Sequence, residues 1–167
     1  MAPIDAGGSI PNLDTQFLDA NEVPHNVAEA LERGPVLLAI YKSSCQASKT
    51  IFPIIERIYQ RHRDHGLTVY GVSQDSPNVT RSFARRYGVT FPLLVEGDAY
   101  PISRRFDIFA TPTLYLIRPD GIVLSSIMGF FREQVIEFAT LIATELGAAP
   151  EPIVAENETD IPLFVPG

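Results

Sequence analysis

The sequence contains one cysteine and no tryptophan among its 167 residues. A single cysteine excludes any disulfide within the chain, so packing must hold the fold together. It also favours a reducing cytosol over export, and we predict a cytoplasmic protein, with the periplasm as the alternative if a signal has been removed. No apolar run approaches the roughly 20 residues that a membrane helix needs, and the first residues lack the basic start and apolar stretch of a secretory signal.

Positive charge is scarce at both ends of the chain. Residues 1–34 contain one basic and six acidic residues, and residues 133–167 contain seven acidic residues and no Lys or Arg. The middle of the chain is mildly basic, but it has no dense basic stripe interleaved with aromatic residues, so we exclude nucleic acid as a partner. The length and a hydrophobic content of 46% suit one soluble domain with a substantial core.

Strand and helix patterns alternate over residues 21–147. Short apolar runs such as PVLLAIY predict buried strands, and apolar steps of three and four predict helices, the longest over residues 44–65. The order of these elements predicts an α/β fold of three layers, with a mixed central sheet and helices on both faces. The sequence Pro119-Asp120-Gly121 predicts a hairpin turn between the last two strands.

Two segments flank this domain. Residues 1–20 form an extended lead-in rich in Gly, Pro and Asp, and residues 148–167 form an acidic, proline-rich segment that is called the acidic tail below. The acidic tail has too few apolar residues for a core of its own. We expect it to be ordered only where Ile161, Leu163 and Phe164 dock.

The single cysteine, Cys45, lies where a predicted strand passes into the long helix, in the sequence YKSSCQASKTIFP. The first turn of a helix presents unpaired N–H groups and the positive end of the helix dipole. A thiolate is stabilised there, and more of it is reactive at neutral pH. Ser48 follows one turn later, and its hydroxyl can donate a hydrogen bond to the sulfur. A buried and inert cysteine is the alternative.

A second motif, Thr111-Pro112-Thr113, precedes a later strand. It resembles the segment that carries a cis-proline beside the active cysteine of thioredoxin-like proteins. The apolar strand, the Cys-x-x-Ser motif, Pro53 and the PDG hairpin also occur in the order of that superfamily. The sequences GLTVYGVSQDS and FPLLVEGD resemble its redoxin branch, which contains the alkyl hydroperoxide reductase/thiol-specific antioxidant proteins and thiol-disulfide reductases.

The resemblance implies a role for each residue that matches the motif. Cys45 would be the attacking thiol, and Ser48 would occupy the place of a second, resolving cysteine. Thr111 would supply backbone groups beside the sulfur, and a cis-Pro112 would shape the groove where an extended substrate pairs. Three further positions around the motif are expected to contact the substrate: Tyr41, Ser44 and Gln46.

Departures from the family pattern limit the chemistry. Ser44 replaces a frequent tryptophan, and Ala39 replaces the buried acid that often accepts a proton. Lys42 and Leu38 stand where peroxiredoxins have a threonine or serine and a proline. We therefore discount efficient peroxide reduction.

Chemistry with a single thiol remains feasible. A Cys45 thiolate can attack a disulfide and form a mixed disulfide, and its release then needs an external thiol. We predict a monothiol thiol-disulfide oxidoreductase that acts on small or protein disulfides, with glutathione as a co-substrate and no bound cofactor. A redox-inactive binding module that keeps the groove and a peroxidase with an external resolving thiol are the alternatives.

Other polar residues receive simpler interpretations. His62 and His65 lie three residues apart near a predicted helix end, and we expect a solvated surface pair rather than a metal site. Asp75 follows a predicted strand and is expected to cap the loop after it. The oligomeric state does not follow from the sequence.

Overall fold

The computed structural model describes residues 4–167. The strands in this range are β1 (Gln16–Leu18), β2 (Pro24–Asn26), β3 (Val36–Tyr41), β4 (Thr68–Ser73), β5 (Leu93–Val95), β6 (Thr113–Ile117), β7 (Val123–Met128), β8 (Phe130–Phe131) and β9 (Phe164–Val165). The helices are α1 (Val27–Arg33), α2 (Gln46–His62), α3 (Pro77–Tyr87), α4 (Pro101–Arg105) and α5 (Arg132–Glu145).

The central sheet has five strands in the order β5-β4-β3-β6-β7. β3 runs parallel to β4 and antiparallel to β6, and β4 runs parallel to β5. The predicted mixed sheet is therefore confirmed. Every residue of β3 is buried, which explains why the strand appears in the sequence as a continuous apolar run.

Helices cover both faces of the sheet because side chains alternate along each strand. In β3, Leu37, Ala39 and Tyr41 face the apolar sides of α2 and α5, while Leu38 and Ile40 face α1 and the segment before it. The predicted three-layer α/β architecture is thus confirmed. This architecture places the β3–α2 junction at the end of the sheet that is formed by the carboxyl ends of β3 and β4.

The helix boundaries follow from local capping. The Asn26 side chain accepts a hydrogen bond from the Glu29 backbone N–H at the start of α1. Ser76 does the same for Val79 at the start of α3, which ends at Gly88 in the left-handed conformation. The helix predicted over residues 44–65 begins at Gln46, and its final residues form a 3₁₀ turn, Arg63–His65.

The turn between β6 and β7 forms at the predicted residues. The Gly121 N–H donates to the Arg118 carbonyl oxygen over 2.8 Å, and Gly121 has a φ of +83°. Asp120 forms an ion pair with Arg118 beside the turn. A side chain at residue 121 would strain this positive φ, so glycine is required there.

The two flanking segments contact the core. Leu13 and Phe17 of the lead-in are buried against the face that carries α1, and β1 pairs with β2. In the acidic tail, Ile153 is buried and Ile161 packs beside the core. Leu163 is 65% exposed, so the prediction that its side chain docks is wrong. The Phe164 ring, although half-exposed, packs on the Phe131 ring with 4.6 Å between the ring centroids. The backbone of β9 also holds this part of the tail, because it pairs with β8.

Two kinds of structural feature are absent from residues 4–167. No helix there is long and apolar enough to cross a membrane. No group of three or more His, Cys, Asp or Glu side chains in that range could hold a metal ion.

His62 is 4% exposed, so the predicted solvated pair with His65 is wrong. His62 lies four residues after Ile58 and shares its buried helix face.

Candidate functional site around Cys45

Cys45 lies immediately before the first residue of α2 and serves as its N-cap residue. The sulfur caps nothing, and the first turn of α2 contains no acidic residue. The N–H groups of that turn therefore face the sulfur region without a compensating carboxylate from the helix. Cys45 is half-buried.

Thr111 is the polar neighbour of this sulfur. The Cys45 thiol donates a hydrogen bond to the Thr111 carbonyl oxygen, with 3.1 Å between the two atoms. The peptide bond between Thr111 and Pro112 is cis, and Pro112 is buried. The Pro112 carbonyl oxygen accepts a hydrogen bond from the Gly129 N–H over 2.8 Å, which joins this loop to the start of β8. Cys45, Thr111 and Pro112 are therefore brought together.

Ser48 lies one turn along α2 and is fully buried. Within the described chain its hydroxyl has no hydrogen-bond partner. The predicted hydrogen bond from Ser48 to the sulfur is therefore not formed in this state, in which the thiol hydrogen is directed at Thr111. A buried hydroxyl without a hydrogen-bond partner lowers the stability of the fold. Ser48 therefore keeps a hydrogen-bond donor beside the site that no group in the described chain uses.

The three positions expected to contact a substrate differ in exposure. Ser44 and Gln46 are exposed on either side of Cys45 and remain available. Tyr41 is fully buried, with its ring centroid 4.3 Å from that of Phe52 and 4.9 Å from that of Phe83. The prediction that Tyr41 contacts the substrate is therefore wrong. Alternation along β3 directs its side chain into the core, and this burial raises the pKa of the Tyr41 hydroxyl.

Asp75 fixes the loop that leads to Cys45. Its carboxylate accepts a hydrogen bond from the Ser43 backbone N–H over 2.7 Å. Ser76, rather than Asp75, caps α3. The sequence offered one signal for this contact, because neighbouring parallel strands end at the same edge of a sheet and β3 and β4 lead directly to Ser43 and Asp75.

The site has little other local charge. Ala39 is fully buried in the middle of β3, so the sheet beneath the site supplies no carboxylate at that position. Lys42 is exposed and Lys49 is half-buried on the first turns around the sulfur. The arrangement places the sulfur at the N-terminus of α2, and the chain holds no second thiol to complete an internal disulfide.

A sheet of this topology, with a cysteine at the start of a long helix facing a Thr-Pro loop, defines a thioredoxin-like redoxin. The model of the AhpC/TSA family matches residues 6–126. The chain therefore belongs to the AhpC/TSA family, and the interpretation as a redoxin of the thioredoxin-like superfamily is confirmed.

Individual relatives agree with this assignment. The chain is 26% identical over 134 residues to the thiol-disulfide oxidoreductase ResA of Bacillus subtilis, covering 80% of this chain and 73% of that protein. A thiol:disulfide interchange protein from Bacteroides sp. superposes with a TM-score of 0.71 at 17% identity, covering 87% and 93% of the two chains. The peroxidoxin BcpB of Mycobacterium tuberculosis superposes with a TM-score of 0.69 at 18% identity, covering 86% and 97%. At these identities the two structures show the fold alone.

Proposed function

We propose that the chain is a monothiol thiol-disulfide oxidoreductase in which Cys45 is the nucleophile. The observation that carries this proposal is the position of the Cys45 sulfur, half-buried at the start of α2 and 3.1 Å from the Thr111 carbonyl oxygen. The relative named thiol-disulfide oxidoreductase ResA supports the general class of reaction. The single thiol of this chain sets its particular form.

The first step is exchange at a disulfide RS–SR′. The Cys45 thiolate attacks one sulfur, a Cys45–S–S–R bond forms, the S–S bond of the substrate breaks, and R′S⁻ leaves. The attacking sulfur lies at the start of α2, where the N–H groups of the first turn have no side-chain cap from Cys45. Ionisation also removes the thiol hydrogen from the Thr111 carbonyl oxygen, which then becomes free to accept a backbone N–H of the bound substrate.

The second step needs a thiol from outside the chain. Glutathione, as its thiolate, attacks the sulfur of R in the Cys45–S–S–R bond, a glutathione–R disulfide forms, and the Cys45 thiolate leaves. Where R is itself glutathionyl, the products are glutathione disulfide and the regenerated enzyme. The Ser48 hydroxyl can turn towards the leaving sulfur, because no other group in the described chain binds it.

The test is turnover of the mixed disulfide of glutathione and 2-mercaptoethanol, with glutathione as the reductant. We expect turnover that is lost in the Cys45→Ser variant, and an intact mass with one glutathionyl group after mild oxidation in excess glutathione. Gln134→Ala, at an exposed position of α5 away from Cys45, is the control for a substitution outside the site. Equal turnover by the native chain and Cys45→Ser would refute the proposal and leave a binding module with the same fold.

A further inference from the structure

The acidic tail lies along α2 and is held there by arginine side chains. Arg57 donates a hydrogen bond to the Ile153 carbonyl oxygen over 3.0 Å and binds both oxygens of the Glu158 carboxylate, at 2.9 and 2.7 Å. One turn further along the helix, Arg61 donates to the carbonyl oxygens of Glu151 and Pro152. These contacts join positively charged side chains of α2 to a segment of opposite charge, because residues 133–167 contain seven acidic residues and no Lys or Arg.

The tail then turns into an extended strand beside the Cys45 site. β9 pairs antiparallel with β8, with Val165 opposite Phe130 and Phe164 opposite Phe131. The Arg132 backbone N–H donates to the Leu163 carbonyl oxygen over 3.0 Å, and the Arg132 side chain donates to the Ile161 carbonyl oxygen over 3.2 Å. This segment is therefore fixed by backbone pairing and by a third arginine.

The residues after β9 reach the loop that contacts the sulfur. A Cβ atom built on Gly167 would lie 2.6 Å from the Thr111 carbonyl oxygen and 3.2 Å from the Gly129 Cα atom. The same carbonyl oxygen accepts the hydrogen bond from the Cys45 thiol. The tail thus lies along the backbone edge on which an extended substrate would have to pair.

An opening remains between α2 and the tail, next to Cys45 in the chain. A cleft of about 510 Å³ separates α2 from the tail, and it begins at Gln46, the residue next to Cys45. Its walls include Thr50 and Pro53 of α2 and Asp160 and Ile161 of the tail. A small disulfide can enter a cleft of this size, whereas an extended polypeptide needs the edge that the tail covers.

We infer that the groove formed by β8, Thr111 and the start of α2 is a binding site for an extended peptide, and that residues 158–167 of the chain occupy it. The inference rests on the proposed function for its consequence, which concerns the substrate class. With the tail docked, Cys45 exchanges with small disulfides such as glutathione mixed disulfides. Peptide and protein disulfides react only after the tail leaves the groove.

The experiment uses the full chain with two arginines replaced, Arg57→Gln and Arg132→Gln, which removes side-chain hydrogen bonds to the tail without changing the tail. The control double variant, Arg63→Gln and Arg86→Gln, has the same change in charge at arginines that lie over the Tyr59 and Tyr87 rings. Each chain is reacted with glutathione disulfide and with a short peptide that carries one glutathionylated cysteine. Amide hydrogen exchange at Val165 reports whether the tail is released.

We expect release to raise the rate with the peptide about tenfold, which is the effect of losing a few hydrogen bonds that hold the closed state, and to change the rate with glutathione disulfide by less than about twofold. Raising the salt concentration should shift the native chain in the same direction, because salt screens the exposed arginine contacts. Equal changes for both substrates, or unchanged exchange at Val165, would overturn the inference.

Failure of the proposed function gives a different result. If neither disulfide reacts with Cys45, occupation of the groove by the tail is tested separately. The measurement is the equilibrium binding of a fluorescently labelled form of the same peptide without glutathione. If the tail occupies the groove, the peptide should bind the released variant about tenfold more tightly than it binds the native chain. Equal binding would overturn the inference independently of the chemistry at Cys45.

Discussion

Cys45 and Thr111 lie 66 residues apart in the chain and are joined by a hydrogen bond from the thiol to the carbonyl oxygen. The bond crosses from the start of α2 to the loop before β6, so it links the sulfur to the backbone edge on which a substrate strand would lie. Attack by the thiolate requires this bond to be released. In the proposed mechanism, formation of the nucleophile therefore also frees the Thr111 carbonyl oxygen to accept an N–H of the substrate.

The unpartnered hydroxyl of Ser48 leads to the first prediction. Ser48→Ala removes a fully buried polar group that has no partner in the described chain, and we expect the free energy of unfolding to rise by about 1 kcal/mol. Urea unfolding measures it. Ser44→Ala, at an exposed position, should change the value by less than about 0.5 kcal/mol. A loss of stability in Ser48→Ala would show that the hydroxyl has a partner in the protein.

Ser48→Cys changes the chemistry rather than the stability. A thiol one turn after Cys45 can attack the mixed disulfide from within the chain, with formation of a disulfide between Cys45 and the introduced thiol and release of the bound thiol. We expect the glutathione adduct of the native chain to persist without added thiol and that of Ser48→Cys to be lost. Intact mass after removal of free glutathione measures both. Persistence of the adduct in Ser48→Cys would show that residue 48 cannot reach the sulfur.

The contact between Asp75 and Ser43 leads to the third prediction. Asp75→Ala removes the carboxylate that accepts the Ser43 N–H, and we expect a loss of about 1–3 kcal/mol in the free energy of unfolding. Asp75→Asn keeps an acceptor oxygen and should lose less. The rate of Cys45 alkylation should fall in Asp75→Ala more than in Asp75→Asn, if order in the loop rather than the charge of Asp75 supports reactivity. Equal changes in Asp75→Ala and Asp75→Asn would assign the effect to the charge, because both variants remove it.

The acidic tail provides a prediction with an internal control. Ile153 is 4% exposed, whereas Leu163 is 65% exposed. We expect Ile153→Ala to lower the free energy of unfolding by about 2–5 kcal/mol, since it leaves a cavity in the core. Leu163→Ala should change it by less than about 0.5 kcal/mol. Similar small effects of both variants would mean that the tail contributes nothing to the core.

The structural features that could be predicted from the sequence are those that depend on residues close together in the chain. The apolar run of β3, the position of Cys45 before α2 and the PDG turn all depend on neighbours in the chain. The arginine contacts that hold the tail could not be predicted, because they join distant residues, such as Arg57 and Glu158, which lie 101 positions apart. The prediction for Tyr41 is wrong for a local reason, since alternation with Leu37 and Ala39 places Tyr41 on a core-facing side of β3.

His62 gives the final prediction, on the dependence of stability on pH. Its side chain is buried at the end of α2, and this burial lowers the pKa of His62 from 6.5, with Arg61 and His65 acting in the same direction and Glu151 opposing them. Between that lowered pKa and 6.5, the unfolded chain binds a proton that the folded chain does not. The contribution of His62 to stability is therefore complete above 6.5 and is lost as the pH falls below it.

We expect the free energy of unfolding to decrease from about pH 7.5 to about pH 5.5, and the decrease to become smaller in His62→Leu, which keeps an apolar side chain at the buried position. His65→Gln, at an exposed position, should retain most of the slope. Asp19 does not contribute to the change in stability over this pH range. Burial alone would raise its pKa, but hydrogen bonds from His25 and from backbone N–H groups outweigh this effect, so the pKa of Asp19 lies below 3.8 and its contribution is lost only in stronger acid. Parallel pH profiles for the native chain and His62→Leu would show that His62 is protonated equally in the folded and unfolded states.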